Sequence, residues 1–224
     1  MTDLLPQRGR GVIVAFLAVS VTHVVANGAG AELVSDLTKP LLVPLLLAWV
    51  LVATSGRPPT WLAVGLGFAF LGDVALQLPG TLWFLLGMAL FLVMQVCYVV
   101  GFARLGALRS LRSRPAVMLG WVGLWLALNL VVGPQLGELR WPILVYSVAL
   151  TAMAAAAVAT GDRRIGIGGV LFLVSDLLIG LRAAGTEVPA SGVLVMTTYL
   201  AAQYLIATGW VDRAAERTPA VPAR

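Results

Sequence analysis

Two aspartates stand where an acid is hardest to keep. Of the ten acidic residues, only Asp73 and Asp176 lie well inside long apolar runs, in Phe70-Leu71-Gly72-Asp73-Val74-Ala75-Leu76 and Leu173-Val174-Ser175-Asp176-Leu177-Leu178-Ile179. A charged side chain at mid-membrane costs at least about 2.5–3.5 kcal/mol on insertion scales, so such residues face the interior of a helix bundle and mark function by default. The remaining acids, among them Glu32, Asp36, Glu138, Asp162, Glu187, Asp212 and Glu216, fall in loops or at segment ends. Two carboxyls in unlike surroundings can divide into a proton donor and an anion. The structural alternative is a lock between helices, with each aspartate paired to Lys39, Arg182 or a hydroxyl.

Further polar residues fall in the same half of the apolar runs: His23, Lys39, Asn129, Tyr146, Ser175 and Tyr199, with Gln95, Tyr98 and Gln203 somewhat deeper. Lys39 is the one lysine beside fourteen arginines. A compact, movable ammonium therefore suits that position better than a planar guanidinium, although a snorkelling lysine at a helix start would read the same way. His23 fits a hydrogen-bonded core residue better than a catalyst. Gln95, Gln203, Tyr98 and Tyr199 equally suit interhelical hydrogen bonding. One cysteine, Cys97, excludes an intramolecular disulfide, and with a single histidine it leaves no usual donor set for zinc, haem or iron–sulfur clusters. The reading therefore expects no metal and no cofactor.

Elements that could hold these residues follow from composition. The 224 residues are 60% hydrophobic and 11% charged, with a mean hydropathy of +0.96, more apolar surface than a water-soluble globule can hide. Runs near 11–27, 38–54, 61–78, 82–103, 116–132, 141–160, 165–182 and 191–211 approach or reach the roughly 17–25 residues that cross a bilayer. Short connectors with Gly and Pro separate them, such as Ser55-Gly56-Arg57-Pro58-Pro59 and Pro79-Gly80. Continuous runs without period-two alternation require helices rather than barrel strands. The expected fold is an all-α membrane bundle of about eight transmembrane helices. It comprises a tail at 1–10, one membrane domain at 11–211 and a tail at 212–224.

Charge sets the expected orientation. Arg8, Arg10, Arg57, Arg104, Arg109, Arg112, Arg114, Arg163, Arg164, Arg213, Arg217 and Arg224 fall on one side, against Lys39, Arg140 and Arg182 on the other, a 12:3 split. Both tails are then cytoplasmic in a multi-pass protein of the cell membrane. The same distribution explains the net charge of +5 without a nucleic-acid partner. A signal peptide cleaved near Ala29-Gly30-Ala31 is disfavoured, because the first apolar run is long for one and holds His23. By helical rise, both aspartates sit roughly 8–9 Å below the outer boundary, each after a small residue, Gly72 or Ser175, that lets helices approach. The likeness of their two segments, four spans apart, fits a parallel four-plus-four pseudo-repeat.

Six motifs in order complete the reading. These are Thr38-Lys39-Pro40-Leu41-Leu42, Leu71-Gly72-Asp73, Gln95-Val96-Cys97-Tyr98, Arg140-Trp141-Pro142-Ile143-Leu144-Val145-Tyr146, Leu171-Phe172-Leu173-Val174-Ser175-Asp176 and Tyr199-Leu200-Ala201-Ala202-Gln203-Tyr204-Leu205-Ile206. Together they resemble the YhhN family of membrane proteins, which includes the lysoplasmalogenases. The resemblance implies a lysophospholipid substrate whose vinyl ether bond is hydrolysed to a fatty aldehyde and a glycerophospho-alcohol. It implies site positions at Lys39, Asp73, Tyr98, Ser175, Asp176, Tyr199 and Gln203. Gln95 departs from the family pattern, which usually has His there, and some members carry Asn at the position of Asp176. On this reading Asp73 and Asp176 are catalytic, with Asp73 taken as the acid and Asp176 as base or cation stabiliser, although the sequence does not decide their order. Lys39, Gln95, Tyr98, Ser175, Tyr199 and Gln203 contact substrate or orient the carboxyls. The alternative is a proton- or cation-coupled transporter using the same two acids.

Overall fold

The computed structural model describes residues 8–216, so most of both expected tails lies outside the described residues. The chain forms α1 (Arg10–Gly28), α2 (Glu32–Ala53), α3 (Thr60–Ala75), α4 (Thr81–Arg104), α5 (Ala107–Arg112), α6 (Pro115–Val132), α7 (Arg140–Ala159), α8 (Arg163–Ala183) and α9 (Ser191–Glu216). Among the described residues there is no strand. Seven of the helices are long and apolar enough to cross a membrane. The eighth expected span, α3, has 16 residues, about 24 Å at 1.5 Å per residue. It stops at Ala75 rather than near 78 because the chain turns through Leu76 to Gly80, where Gly80 has φ +106°. The connector after α4 holds the short α5, and residues 133–139 wind into two 3₁₀ turns.

Neighbours in the bundle repeat once along the chain. α2 packs on α3 and α3 on α4, while α7 packs on α8 and α8 on α9. The two triplets join where α4 meets α7 and where α2 meets α9. α6 touches little beyond α7 and its own connectors, and most of its side chains face outward.

Small residues set the closest approaches. A Cβ on Gly72 would lie 2.8 Å from the Phe91 ring, and one on Gly168 would lie 2.9 Å from the Ala202 carbonyl oxygen and 2.8 Å from Ile206. These contacts draw α3 onto α4 and α8 onto α9, so the helices that carry Asp73 and Asp176 are each pressed against the next. Ser175 closes the second pair differently. Its hydroxyl donates to the Val195 carbonyl at 3.1 Å.

Candidate active site

The short α3 leaves a recess at the end of the bundle where α1, α3 and α8 finish and α2, α4, α7 and α9 begin. This end is the distal end, remote from Arg10 and Glu216. Lys39, Asp73, Tyr146, Ser175, Asp176 and Tyr199 line a cavity of about 90 Å³ there, with Leu76, Phe91, Met88 and Met196 among its apolar walls. Two aspartates from separate helices therefore face one space. Each lies within electrostatic reach of the other, and Lys39 within reach of Asp73.

Asp73 is the more enclosed of the two, 4% exposed. Its Oδ2 accepts a hydrogen bond from the Tyr199 hydroxyl at 2.7 Å. That hydroxyl accepts from Gln203 Nε2 at 3.4 Å, and Gln203 Oε1 accepts from the Tyr98 hydroxyl at 2.8 Å. Every donor in this buried line points toward Asp73, so the line acts as one oriented dipole chain ending on the carboxylate. Tyr199 and Gln203 share a face of α9 by their i, i+4 spacing. The Tyr199 ring is held edge-on by Phe91 and Phe172, with centroids 5.9 and 5.6 Å away. At its far end the line stops, because the Tyr98 ring packs against Phe102 and Trp210.

Asp176 is half-buried and has its own tyrosine. The Tyr146 hydroxyl of α7 donates to Asp176 Oδ2. Gln95, fully buried on α4, faces Tyr146, yet neither polar atom of its amide makes a hydrogen bond of good geometry within the protein. Each aspartate is thus backed by a tyrosine, and each tyrosine by a glutamine.

The cavity gathers Lys39, Asp73, Ser175, Asp176 and Tyr199 directly. Gln95, Tyr98 and Gln203 stand behind the tyrosines and do not line it. Ser175 lines the cavity with its hydroxyl already committed to Val195. His23 is apart from the cavity: its Nδ1 pairs with the Thr38 hydroxyl at 2.9 Å and the Ser35 carbonyl at 3.2 Å, tying α1 to the start of α2. Asn129 binds Ser147 between α6 and α7. Arg182 lies in a separate depression at the cavity mouth with Thr81 and Phe84. Among the described residues no three His, Cys, Asp or Glu side chains gather as a metal site.

Two contributors escape a reading of the sequence by residue type. Tyr146 stands at the right depth, but only the rotation of α7 reveals that it meets Asp176. Gln77, just beyond α3, donates from Nε2 to the Asp36 carbonyl at 3.0 Å. Pro40 lacks the N–H that this carbonyl would take inside α2. The side chain therefore fills a gap that proline makes, and pins the end of α3, with Asp73, beside the helix turn that bears Lys39.

Comparison with known proteins gives one family. The model of the YhhN family matches residues 34–210. The chain is 31% identical to a lysoplasmalogenase of Mycobacterium bovis over 193 residues, covering 81% of this chain and 72% of that protein. It is 31% identical to lysoplasmalogenase TMEM86A of Bos taurus, covering 80% and 79%, and 32% identical to the human protein of that name, again covering 80% and 79%. No solved structure matches the chain.

Proposed function

Since the chain belongs to the YhhN family, we propose that it is a membrane-embedded lysoplasmalogenase, hydrolysing the vinyl ether bond of a lysophospholipid by acid–base catalysis with Asp73 and Asp176. The observation that carries this reading is the meeting of two aspartates from α3 and α8 in one cavity with Lys39. The names of the relatives supply the reaction, and the cavity supplies groups suited to it.

A vinyl ether hydrolyses through slow protonation of its β-carbon. The resulting oxocarbenium ion takes up water, and the hemiacetal collapses to an aldehyde and the glycerol hydroxyl. One enclosed acid must therefore deliver a proton to carbon, and one anion must face the cation and orient water. Asp73, the more enclosed, is assigned the proton. Once it is delivered, the carboxylate left behind receives the Tyr199 hydrogen bond and the field of Lys39, so these groups stabilise the state formed after transfer more than the one before it. Asp176, half-buried and held by Tyr146, is the anion that steadies the oxocarbenium ion and draws the proton from water. Positioned acids and bases of this kind contribute about 10²–10⁴-fold each.

The first test is aldehyde release from a lysoplasmenyl lipid by the purified protein. In D₂O the aldehyde should carry one deuterium on the carbon next to the carbonyl. In ¹⁸O-water the glycerol hydroxyl should stay unlabelled, because cleavage falls on the vinyl side of the oxygen. Label in the glycerol product, or no aldehyde at all, would sink the proposal.

Lys39 is assigned the phosphate of the substrate, as a point charge at the cavity wall. Lys39→Met should raise KM about tenfold for the phospholipid alone, and lower kcat by a similar factor on the phospholipid and on a vinyl ether without phosphate, since its field also acts on Asp73. A KM unchanged for the phospholipid would remove the phosphate from Lys39 and leave it to the chemistry only. The 12:3 split of cationic residues supports a distal end, with this cavity, turned away from the cytoplasm. The transporter reading gains no support from the polar line behind Asp73, which ends at packed rings.

A further inference from the structure

The catalytic cavity is too small for the molecule it is proposed to cleave. At about 90 Å³ it accepts the reacting end of a lysolipid and a few waters, and the hydrocarbon chain must lie elsewhere. An apolar groove of about 440 Å³ runs along the membrane face between α4 and α7, walled by Leu85, Ala89, Leu92, Trp141 and Val145. Met88 and Tyr146 line both the groove and the cavity. The two spaces thus lie on either side of these side chains, and the residue that binds Asp176 forms part of the wall between them.

We propose that this α4–α7 groove is the binding site for the hydrocarbon chain of the lysolipid, which reaches the cavity sideways from the bilayer across Met88 and Tyr146. The proposal rests on the lysolipid reading above. Three observations support this occupant. The groove starts near the distal ends of α4 and α7 and runs from Leu85 to Leu92, about 10 Å toward the middle of the membrane. That is the direction a chain takes when its headgroup stays at the distal surface. Ala89, exposed on the groove floor, leaves room that a larger residue would fill. Met88, an unbranched and adaptable side chain, stands at the threshold where a chain must pass.

A second cavity, of about 70 Å³ between α6, α7 and α8, also touches Tyr146 and Asp176. It is smaller, and the Trp125 indole, Asn129 and Ser147 already bond to one another there.

The test separates chain binding from chemistry. With a long-chain lysoplasmenyl lipid, Ala89→Trp should lower kcat/KM at least tenfold. With a short-chain vinyl ether bearing the same headgroup, it should leave turnover within twofold of the unaltered protein. Equal loss on both substrates in a folded variant, or no loss on either, overturns the proposal. Ala89→Leu gives a graded check should the tryptophan disturb folding. A lysolipid carrying a diazirine at the chain end gives a readout that needs no turnover. Its label should fall on α4 and α7 peptides containing Leu92 and Val145, should be displaced by unlabelled lysolipid, and should be lost in Ala89→Trp. Label on α6, or spread evenly around the bundle, overturns the groove even if the protein releases aldehyde. Label in the groove without aldehyde release would keep the chain site and remove the assigned reaction.

Discussion

Asp73→Asn should lower kcat for aldehyde release by at least about a thousandfold, roughly 4 kcal/mol of transition-state stabilisation, while the protein remains inserted and folded. The substitution keeps the shape of the side chain, and the Tyr199 hydroxyl at 2.7 Å can still donate to the amide oxygen. What is lost is the one proton that can be delivered to carbon. Because substrate contacts stay in place, KM should move little, and a transition-state contact is then the natural account. The check is steady-state kinetics beside circular dichroism and thermal unfolding in detergent. A folded Asp73→Asn variant with turnover near that of the unaltered protein would end the assignment of Asp73 as the acid. Tyr199, Gln203 and Tyr98 would then lose their assigned support role together, since their hydrogen bonds all run toward that carboxylate.

How much of this was legible beforehand depends on which signal each residue carries. The spans were legible because apolar runs end at Gly and Pro, and most of the helices begin and end close to those limits, although α2 starts at Glu32 rather than near 38 and α9 runs on to Glu216 rather than 211. α3 departs the other way. Leu76 and Leu78 continue its apolar character but belong, with Gln77, to the turn, and that early stop opens the recess in which Asp73 lies. The two aspartates were legible from type alone, since a carboxyl in an apolar run must find company. The count that put them at one depth carried α3 on to 78, whereas it stops at Ala75; the shared cavity, not the count, brings the two together. Tyr146 was not legible as a partner of Asp176, nor Gln95 as its neighbour, because contacts between helices depend on how each is rotated about its axis. Nor was the role of Gln77, since nothing in its type says that a proline on another helix has left a carbonyl open.

The packing also clarifies the internal likeness. α2–α3–α4 and α7–α8–α9 follow the same neighbour order, and laid side by side their sequences set Lys39-Pro40-Leu41-Leu42-Val43-Pro44 against Trp141-Pro142-Ile143-Leu144-Val145-Tyr146, Asp73 against Asp176, and Gln95 against Gln203. At the cavity the two halves have parted. One half supplies Lys39 where the other has Trp141, and Tyr146 where the first has Pro44. A symmetric pair of carboxyls would compete for the same role. Both carboxyls accept from a tyrosine, but lysine placed near Asp73 and the deeper burial of that residue make their surroundings unlike, which is the condition for one to act as acid and the other as base.

From that asymmetry the second large effect follows. Asp176→Asn should lower kcat by about 10²–10³-fold, in the range seen when a group that stabilises transition-state charge is removed. The neutral amide fills the same volume and can keep the Tyr146 hydrogen bond, but it presents no anion to the oxocarbenium ion and no base to the attacking water. Asp176→Ala should be at least as slow, with one difference. It leaves space beside a cavity of about 90 Å³, so formate at millimolar concentration should enter, restore the missing charge and recover part of the turnover. Asp176→Asn, with its space filled, should not respond. If Asp176→Asn kept turnover within a few-fold of the unaltered protein, Asp73 would have to act without a partner carboxylate. Formate rescue of Asp176→Ala alone would instead locate the missing anion at the position of Asp176, which no purely structural role for that residue predicts.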